Sequence, residues 1–400
     1  MNRIYLDNAA TTAVSPQVLE AMLPYFTECF GNPSSIHSTG RDARRAIDAA
    51  RKQVAAALNC QPNEVYFTAG GSESDNWAIK GAAMARRNKG NHVITTSIEH
   101  HAVLHTCQWL EKQGFEVTYL PVDADGQVSV RDVEKAITDK TVLITIMAAN
   151  NEIGTIEPIA EIGQLARSKG ILFHTDAVQA VGAVPIDVQA IGCDLLSLSG
   201  HKFHGPKGVG ALYIRKGVKL DHLIEGGAQE RGQRAGTENL AGIVGLGKAI
   251  ELAVQNLDSN AARMSALRDK LINGIIERIP DVKLNGHRTN RLPNNVNVSV
   301  RYVEGEALLL RLDLAGVAGS SGSACTSGTL DPSHVLLAIG LPHEIAHGSL
   351  RLTLGNETTE ADIDYVLDKL PGIVSDLRAM SVLNEFTTTV GGTCPIKTVE

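Results

Sequence analysis

The sequence has 400 residues, 43% apolar and 20% charged, with 37 Lys and Arg against 44 Asp and Glu for a formal charge of −7. That length exceeds what one hydrophobic core usually fills, and the composition excludes a disordered chain. With no block of like charges, nucleic acid and anionic membrane are both excluded as expected partners.

The N-terminus, Met1-Asn2-Arg3-Ile4, passes straight into a strand pattern without the apolar stretch of a signal peptide, so a cytoplasmic location is expected. The segment Phe67-Thr-Ala-Gly-Gly-Ser-Glu-Ser-Asp75 reads as a strand end, a glycine turn and a Ser72-x-x-Asp75 helix start. Free backbone N–H groups at such a start suit a phosphate, and a bare capped helix is the alternative. Neither Walker lysine spacing nor G-x-G-x-x-G is present, which argues against an NTPase or a nicotinamide enzyme.

From about 90 to 215, strand patterns at 92–97, 116–120, 142–147, 171–175 and 194–199 alternate with helical ones at 102–113, 129–138 and 159–169. This is the order of an α/β domain with a parallel sheet. The longest nearly apolar run, 142–149, is far too short to cross a bilayer. From Leu240 to Leu271 apolar residues keep a helical period without a proline, which predicts one long helix bridging two domains. Beyond Pro280 come a strand at 296–300, a helix at 305–314, a Gly/Ser loop at 319–328, a strand at 350–354 and a helix at 360–377, read as a smaller domain. The last twenty residues read as a flexible tail.

Six cysteines, at 29, 60, 107, 193, 325 and 394, form no CxxC pair, which suits neither a zinc site nor a disulfide framework. Cys60, Cys107 and Cys193 read as small buried hydrophobes. Lys202, in Ser197-Leu-Ser-Gly-His-Lys202, follows a buried strand. A Schiff-base lysine must spend time as the neutral amine, which desolvation favours; an exposed turn lysine is the alternative. Asp176 lies one helix-and-strand unit earlier, where a carboxylate reaches the crevice beyond the strand ends or caps a helix. His100, after Glu99, follows another strand end. Polar groups at 71 to 72, 100, 151, 176 to 179 and 199 to 202 therefore point to one shared crevice. Cys325 sits in Gly319-Ser-Ser-Gly-Ser-Ala-Cys-Thr-Ser-Gly328, without a bulky neighbour, as a thiol on a mobile tether suited to covalent capture.

Together, Asp176-Ala-Val-Gln179, Ser199-Gly-His-Lys202 and Ser321-Gly-Ser-Ala-Cys325 resemble the motifs of cysteine desulfurases of the NifS/IscS type, class V aminotransferase-like enzymes dependent on pyridoxal phosphate. The resemblance extends over Tyr5-Leu-Asp-Asn-Ala-Ala-Thr-Thr12, Gly31-Asn-Pro-Ser34 and Arg234-Ala-Gly-Thr-Glu-Asn239 to about Leu377. It implies a pyridoxal phosphate-dependent transferase fold: a large domain (15–255) on a mostly parallel seven-stranded sheet, and a smaller α+β domain (1–14 and 256–380) carrying the Cys325 loop. Lys202 would carry the cofactor as a Schiff base, Asp176 would pair with its ring nitrogen and Gln179 with its phenolic oxygen. His100 would stack on the ring and assist proton transfer. Gly71, Ser72, Ser199 and His201 would hold the phosphate, with Thr237 reaching that of a second copy in a homodimer. Asn151 and Arg351 would bind L-cysteine. Cys325 would take the sulfur as a persulfide for an iron–sulfur scaffold protein, and serve as a transient iron–sulfur ligand. The alternative within the same fold is an aminotransferase or selenocysteine lyase, for which Cys325 would be dispensable.

Overall fold

The computed structural model describes residues 3–321 and 332–380. The short β1 (Ile4–Tyr5) precedes the main sheet, whose strands are β2 (Val65–Thr68), β3 (His92–Thr96), β4 (Glu116–Leu120), β5 (Thr141–Thr145), β6 (Leu172–Asp176), β7 (Leu195–Ser199) and β8 (Gly210–Ile214). They lie in the order β2-β8-β7-β6-β5-β3-β4, the seven strands expected. Only β8 runs antiparallel to its neighbours β2 and β7. It follows β7 through residues 200–209, too short a connection for a parallel crossover, so it must reverse.

Both faces of this sheet are covered, which is why its central strands read as unbroken apolar runs. Successive side chains alternate between two clusters. Val93, Leu143, Leu172 and Leu195 pack with Trp77, Ile79, Val103 and Leu110 on one face. Ile94, Ile144, Phe173 and Leu196 pack with Ile47, Val54, Leu246 and Ile250 on the other. Each element expected between 90 and 215 is present, with bounds within about two residues, the usual uncertainty of element ends.

The single long helix expected from Leu240 is instead two, Leu240–Gln255 and Leu257–Arg278, bent by 70°. Asn256 makes the break: at φ −105° and ψ 10° it leaves the helical region, while its side chain donates back to Leu252 O. The first helix packs on the large sheet and the second on a separate cluster. No single described helix is long and apolar enough to cross a membrane.

That second cluster covers β9 (Val282–Leu284), β10 (Asn295–Val300) and β12 (Ser349–Thr353), an antiparallel sheet in the order β12-β10-β9; β11 (Val317–Ala318) pairs in parallel with β1. Val296, Val298, Leu350 and Leu352 meet Leu271, Ile275, Leu308, Leu312 and Ile363. Beside β12, Asn8 Nδ2 donates to Thr353 O (2.9 Å) and Ala9 N to Thr353 Oγ1 (2.8 Å), fixing residues 8 and 9 over the large sheet. The final helix, Glu360–Met380, runs slightly past the expected end. The expected Gly/Ser loop beyond Ser321, with Cys325, and the tail with Cys394 lie outside the described residues.

Candidate active site

Five strand ends of the large sheet open on one cavity of about 280 Å³, lined by Gly71, Ser72, His100, Asn151, Asp176, Gln179, Ser199, His201 and Lys202, with Arg351 from β12. The polar positions expected to share a crevice thus do share one. Thr237 does not line it; it is exposed and borders a neighbouring hollow with Arg234 and Glu238.

Lys202 ends the turn Gly200–Lys202 that follows β7, and its Nζ donates to Ala9 O (2.5 Å) and Ala10 O (2.9 Å). Gln179 Nε2 donates to the same Ala9 oxygen (3.0 Å). Ala9, held by Thr353, and Ala10 beside it therefore join the two sheets at the cavity. His201 Nδ1 lies 3.1 Å from Thr11 Oγ1. Asp176, at the end of β6, accepts from Val178 N (2.9 Å) through Oδ1.

At the mouth of the phosphate turn the helix Gly71–Ala85 begins one residue earlier than Ser72, with Gly70 (φ 154°) as its N-cap and no side-chain cap. The expected Ser72-x-x-Asp75 cap does not form. Glu73 turns back to Ala69 N (3.0 Å), and Asp75 points inward, fully buried, with Oδ1 lacking any hydrogen bond among the described residues. Among the described residues no side chain caps the first N–H groups of the helix. A Cβ at Gly71 would come 2.6 Å from Val178 Cγ2, and one at Gly210 would come 2.8 Å from Gly70 Cα, so the turn and β8 touch backbone to backbone.

Burial removes charge from most groups around the cavity. Desolvation, then Lys202 and neighbouring histidines, pushes His100 down to about 4; its Nδ1 accepts from Ala102 N (3.1 Å), leaving the proton of the neutral ring on Nε2. Burial likewise lowers His201 to about 4 and His174 to about 3. Desolvation raises Asp176 to about 6, against the pull of Val178 N–H and Lys202. Asp75 is raised too, by burial and by the charge of Asp176. Its Oδ1 lies 3.7 Å from His174 Nε2, whose ring burial also turns toward the neutral form. The thiols of Cys107 and Cys193 are buried and pushed far up, and half-buried Cys60 to about 12, so all three serve as packing. Among the described residues no His, Cys, Asp or Glu cluster could hold a metal.

Arg351 reaches the cavity from the other sheet. Its guanidinium donates to Asp7 Oδ1 (3.0 Å) and Asn151 O (3.1 Å), while buried Nε makes no hydrogen bond among the described residues. Sequence spacing carries no sign of Asp75 or of the Ala9 and Ala10 carbonyls as parts of the site. The first has the pattern of a cap, and the others have no side chain to betray them.

A family model described as aminotransferase class-V matches residues 4–366. The chain belongs to the class-V aminotransferase family. It is 63% identical over 388 residues to a "Cysteine desulfurase IscS" of Clostridium botulinum, covering 96% of this chain and 98% of that one. To the protein of the same name from Methanosarcina thermophila it is 62% identical over 380 residues, 95% and 94% of the two chains. Among solved structures, a "NIFS-LIKE PROTEIN" superposes with a TM-score of 0.89 at 41% identity, covering 94% of this chain and all of the other. One described as "SspA in complex with cysteine" does so with a TM-score of 0.79 at 42% identity, covering 88% and 98%. Within the family the chain is a cysteine desulfurase of the NifS/IscS type, a pyridoxal phosphate enzyme. The cavity fits that cofactor: an amine at Lys202, a buried carboxyl at Asp176, and a helix start with no side-chain cap, where glycine at position 71 packs against Val178.

Proposed function

We propose that this enzyme takes sulfur from L-cysteine, releases L-alanine and passes the sulfur, as a persulfide on Cys325, to a scaffold protein for iron–sulfur cluster assembly. One observation carries the reading: a single cavity joins the Lys202 amine, the Asp176 carboxyl and, from a different sheet, the Arg351 guanidinium. Bound pyridoxal phosphate supplies an electron-withdrawing ring that acidifies the α-proton of the amino acid joined to it.

The chain's own residues do the rest. Lys202 would hold the cofactor through its amine, and the same amine would serve as a base for the α-proton. Asp176 would pair with the ring nitrogen, whose positive charge would favour the ionised carboxylate against burial. Gln179, whose Nε2 donates to Ala9 O, would reach the phenolic oxygen. Neutral His100, with its proton on Nε2, would stack on the ring and assist proton transfer. Gly71, Ser72, Ser199 and His201 hold the phosphate by backbone N–H, hydroxyl and imidazole donors. Arg351 takes the substrate carboxylate, with Asn151 beside it. A bond then forms between Cys325 Sγ and the substrate sulfur as the carbon–sulfur bond breaks. The electron pair passes to carbon, which is protonated, so cysteine plus thiol gives alanine plus persulfide.

Residues 15–255 form the cofactor-binding unit, and 1–14 with 256–380 the smaller one. Leu19, Leu23, Phe26, Phe30 and Ile36 are exposed apolar side chains close together in sequence, and they support a homodimer in which Thr237 reaches the partner's phosphate. A cytoplasmic location fits the scattered thiols. The test is Cys325→Ala. Retained visible absorbance of the bound cofactor with lost sulfide release supports the reading. Unchanged turnover of L-cysteine would point instead to an aminotransferase or lyase.

A further inference from the structure

Residues 7–10 form a turn that is fixed on two sides, and the amine of Lys202 rests on it. Ala10 N closes the turn on Asp7 O (3.0 Å). On one side the turn is laced to β12: Thr353 N donates to Leu6 O (2.7 Å), Asn8 Nδ2 to Thr353 O (2.9 Å), and buried Ala9 N to Thr353 Oγ1 (2.8 Å). On the other, Thr12 N and Thr12 Oγ1 both donate to His201 O (3.0 Å each), one residue before Lys202. Ala9 and Ala10 line the cavity, and Lys202 Nζ donates to their carbonyls at 2.5 and 2.9 Å. Ala9 O accepts from Gln179 Nε2 as well (3.0 Å), so both of its lone pairs are in use. Thr353 is fully buried, its hydroxyl holds the Ala9 N–H, and no step of the reaction above uses it.

We propose that the Ala9 and Ala10 carbonyls are the rest for the Lys202 amine while an amino acid occupies its place on the cofactor, and that Thr353 is the positioning residue that keeps them there. The proposal rests on the reading of Lys202 as the amine that carries the cofactor. As the incoming nitrogen bonds to the cofactor's carbon, the bond from that carbon to Nζ breaks, and the two hydrogens of the incoming amine pass to Nζ. One amine enters and another leaves. The freed amine has N–H donors that it lacked before, and in a partly buried site a donor without an acceptor costs free energy. The two carbonyls, fixed in advance by β12 and by His201 O, meet them. The turn therefore favours the exchange for any amine that displaces Lys202, with or without a carboxylate. Arg351 differs in this respect: it donates to Asp7 Oδ1 on the same turn (3.0 Å), but in the reaction proposed above it serves only an amine that carries a carboxylate.

The experiment uses the holoenzyme and two amines, L-alanine, which offers a carboxylate, and ethylamine, which does not. Visible absorbance of the bound cofactor, titrated at one pH, gives an apparent dissociation constant for each. Thr353→Val is close to isosteric and takes the acceptor away from Ala9 N. Both constants should rise by the same factor, ~3- to 10-fold, the usual worth of one hydrogen bond, while the spectrum without added amine stays as it was. Thr353→Ser, which returns the hydroxyl, should return both constants. A rise for L-alanine alone would assign Thr353 to the support of Arg351 and overturn the proposal, as would no rise for either amine. A crystal structure of the unaltered holoenzyme with L-alanine tests the same point without a variant. Nζ should lie within hydrogen-bond reach of Ala9 O or Ala10 O, and an Nζ turned away from both would end the idea. Failure of the reading of Lys202 would show separately, as a borohydride-reduced cofactor found on another residue by peptide mass spectrometry.

Discussion

The seven-stranded and the three-stranded sheets both bring buried ionisable groups to one cavity, and they treat charge in opposite ways. Around the ends of β3, β6 and β7 and on the helix Gly71–Ala85, burial pushes His100, His174 and His201 toward the neutral ring and Asp75 and Glu99 toward the neutral carboxyl, because it finds few opposite charges to offset it. On β12 the equally buried Arg351 faces Asp7 and a backbone carbonyl. Its guanidinium is a permanent charge that must be partnered. Burial alone therefore does not decide the ionisation state; the partner does. A cofactor that brings a cationic ring and an anionic phosphate meets neutral groups on the first side, and a substrate carboxylate meets a cation on the second.

The sharpest way to break the contrast is to strip a partner from a buried pair. Arg51 binds Glu230 through two bonds of 2.7 and 2.8 Å, and Glu230 also accepts from Phe67 N on β2. Arg51→Ala should lower stability by ~3–5 kcal/mol, since it leaves a buried carboxylate uncompensated. Chemical denaturation of the two proteins measures this directly; a loss near zero would mean that pairing is not what keeps buried charge here.

A smaller effect is expected at the substrate site. Arg351→Ala should raise KM for L-cysteine ~10- to 100-fold, the worth of a charge-assisted bond to a carboxylate, while the visible absorbance of the bound cofactor stays as it was. Steady-state kinetics with a parallel spectrum separates this from a general collapse of the cavity.

The smallest concerns Glu157, which burial raises to about 8 although Val128 N donates to it (2.9 Å). Between its ordinary range, near 4.5, and about 8 the folded protein holds this proton and the unfolded chain has released it. Stability should therefore fall as pH rises through that window, with this one group contributing at most ~1.4 kcal/mol per pH unit. Glu157→Gln should flatten the fall, as read from denaturation midpoints at pH 5, 6, 7 and 8.

The parallel core was legible because strands buried on both faces are written as short apolar runs, as in Val142-Leu-Ile-Thr145, with helices of clear period between them. The crevice was legible because in such a sheet successive strand ends share an edge, and polar residues recurred there. Three features were not. The apolar period runs unbroken across Asn256, so nothing local marks a bend that tertiary packing imposes. Asp75 has the spacing of a capping residue, and only its burial beneath the cavity shows otherwise. Ser38–Leu58 and β8 are not among the expected elements, although Ala43, Ile47, Ala50, Val54 and Leu58 recur at helical spacing on a face dominated by small side chains. The role that Arg351 takes in the cavity depends on β12 meeting residues 7 to 10, a contact made across most of the chain.

The backbone contact between Gly210 and Gly70 works as a gauge. Lys202 hangs from the connection that leads into β8, and the uncapped helix start begins beside Gly70, so the span between the amine and the phosphate cup is set where two main chains meet with no side chain between them. Even a methyl group inserted there would act as a shim, lengthening the span that a rigid ring must bridge. The room for the cofactor is thus written into the absence of one β-carbon, at Gly210.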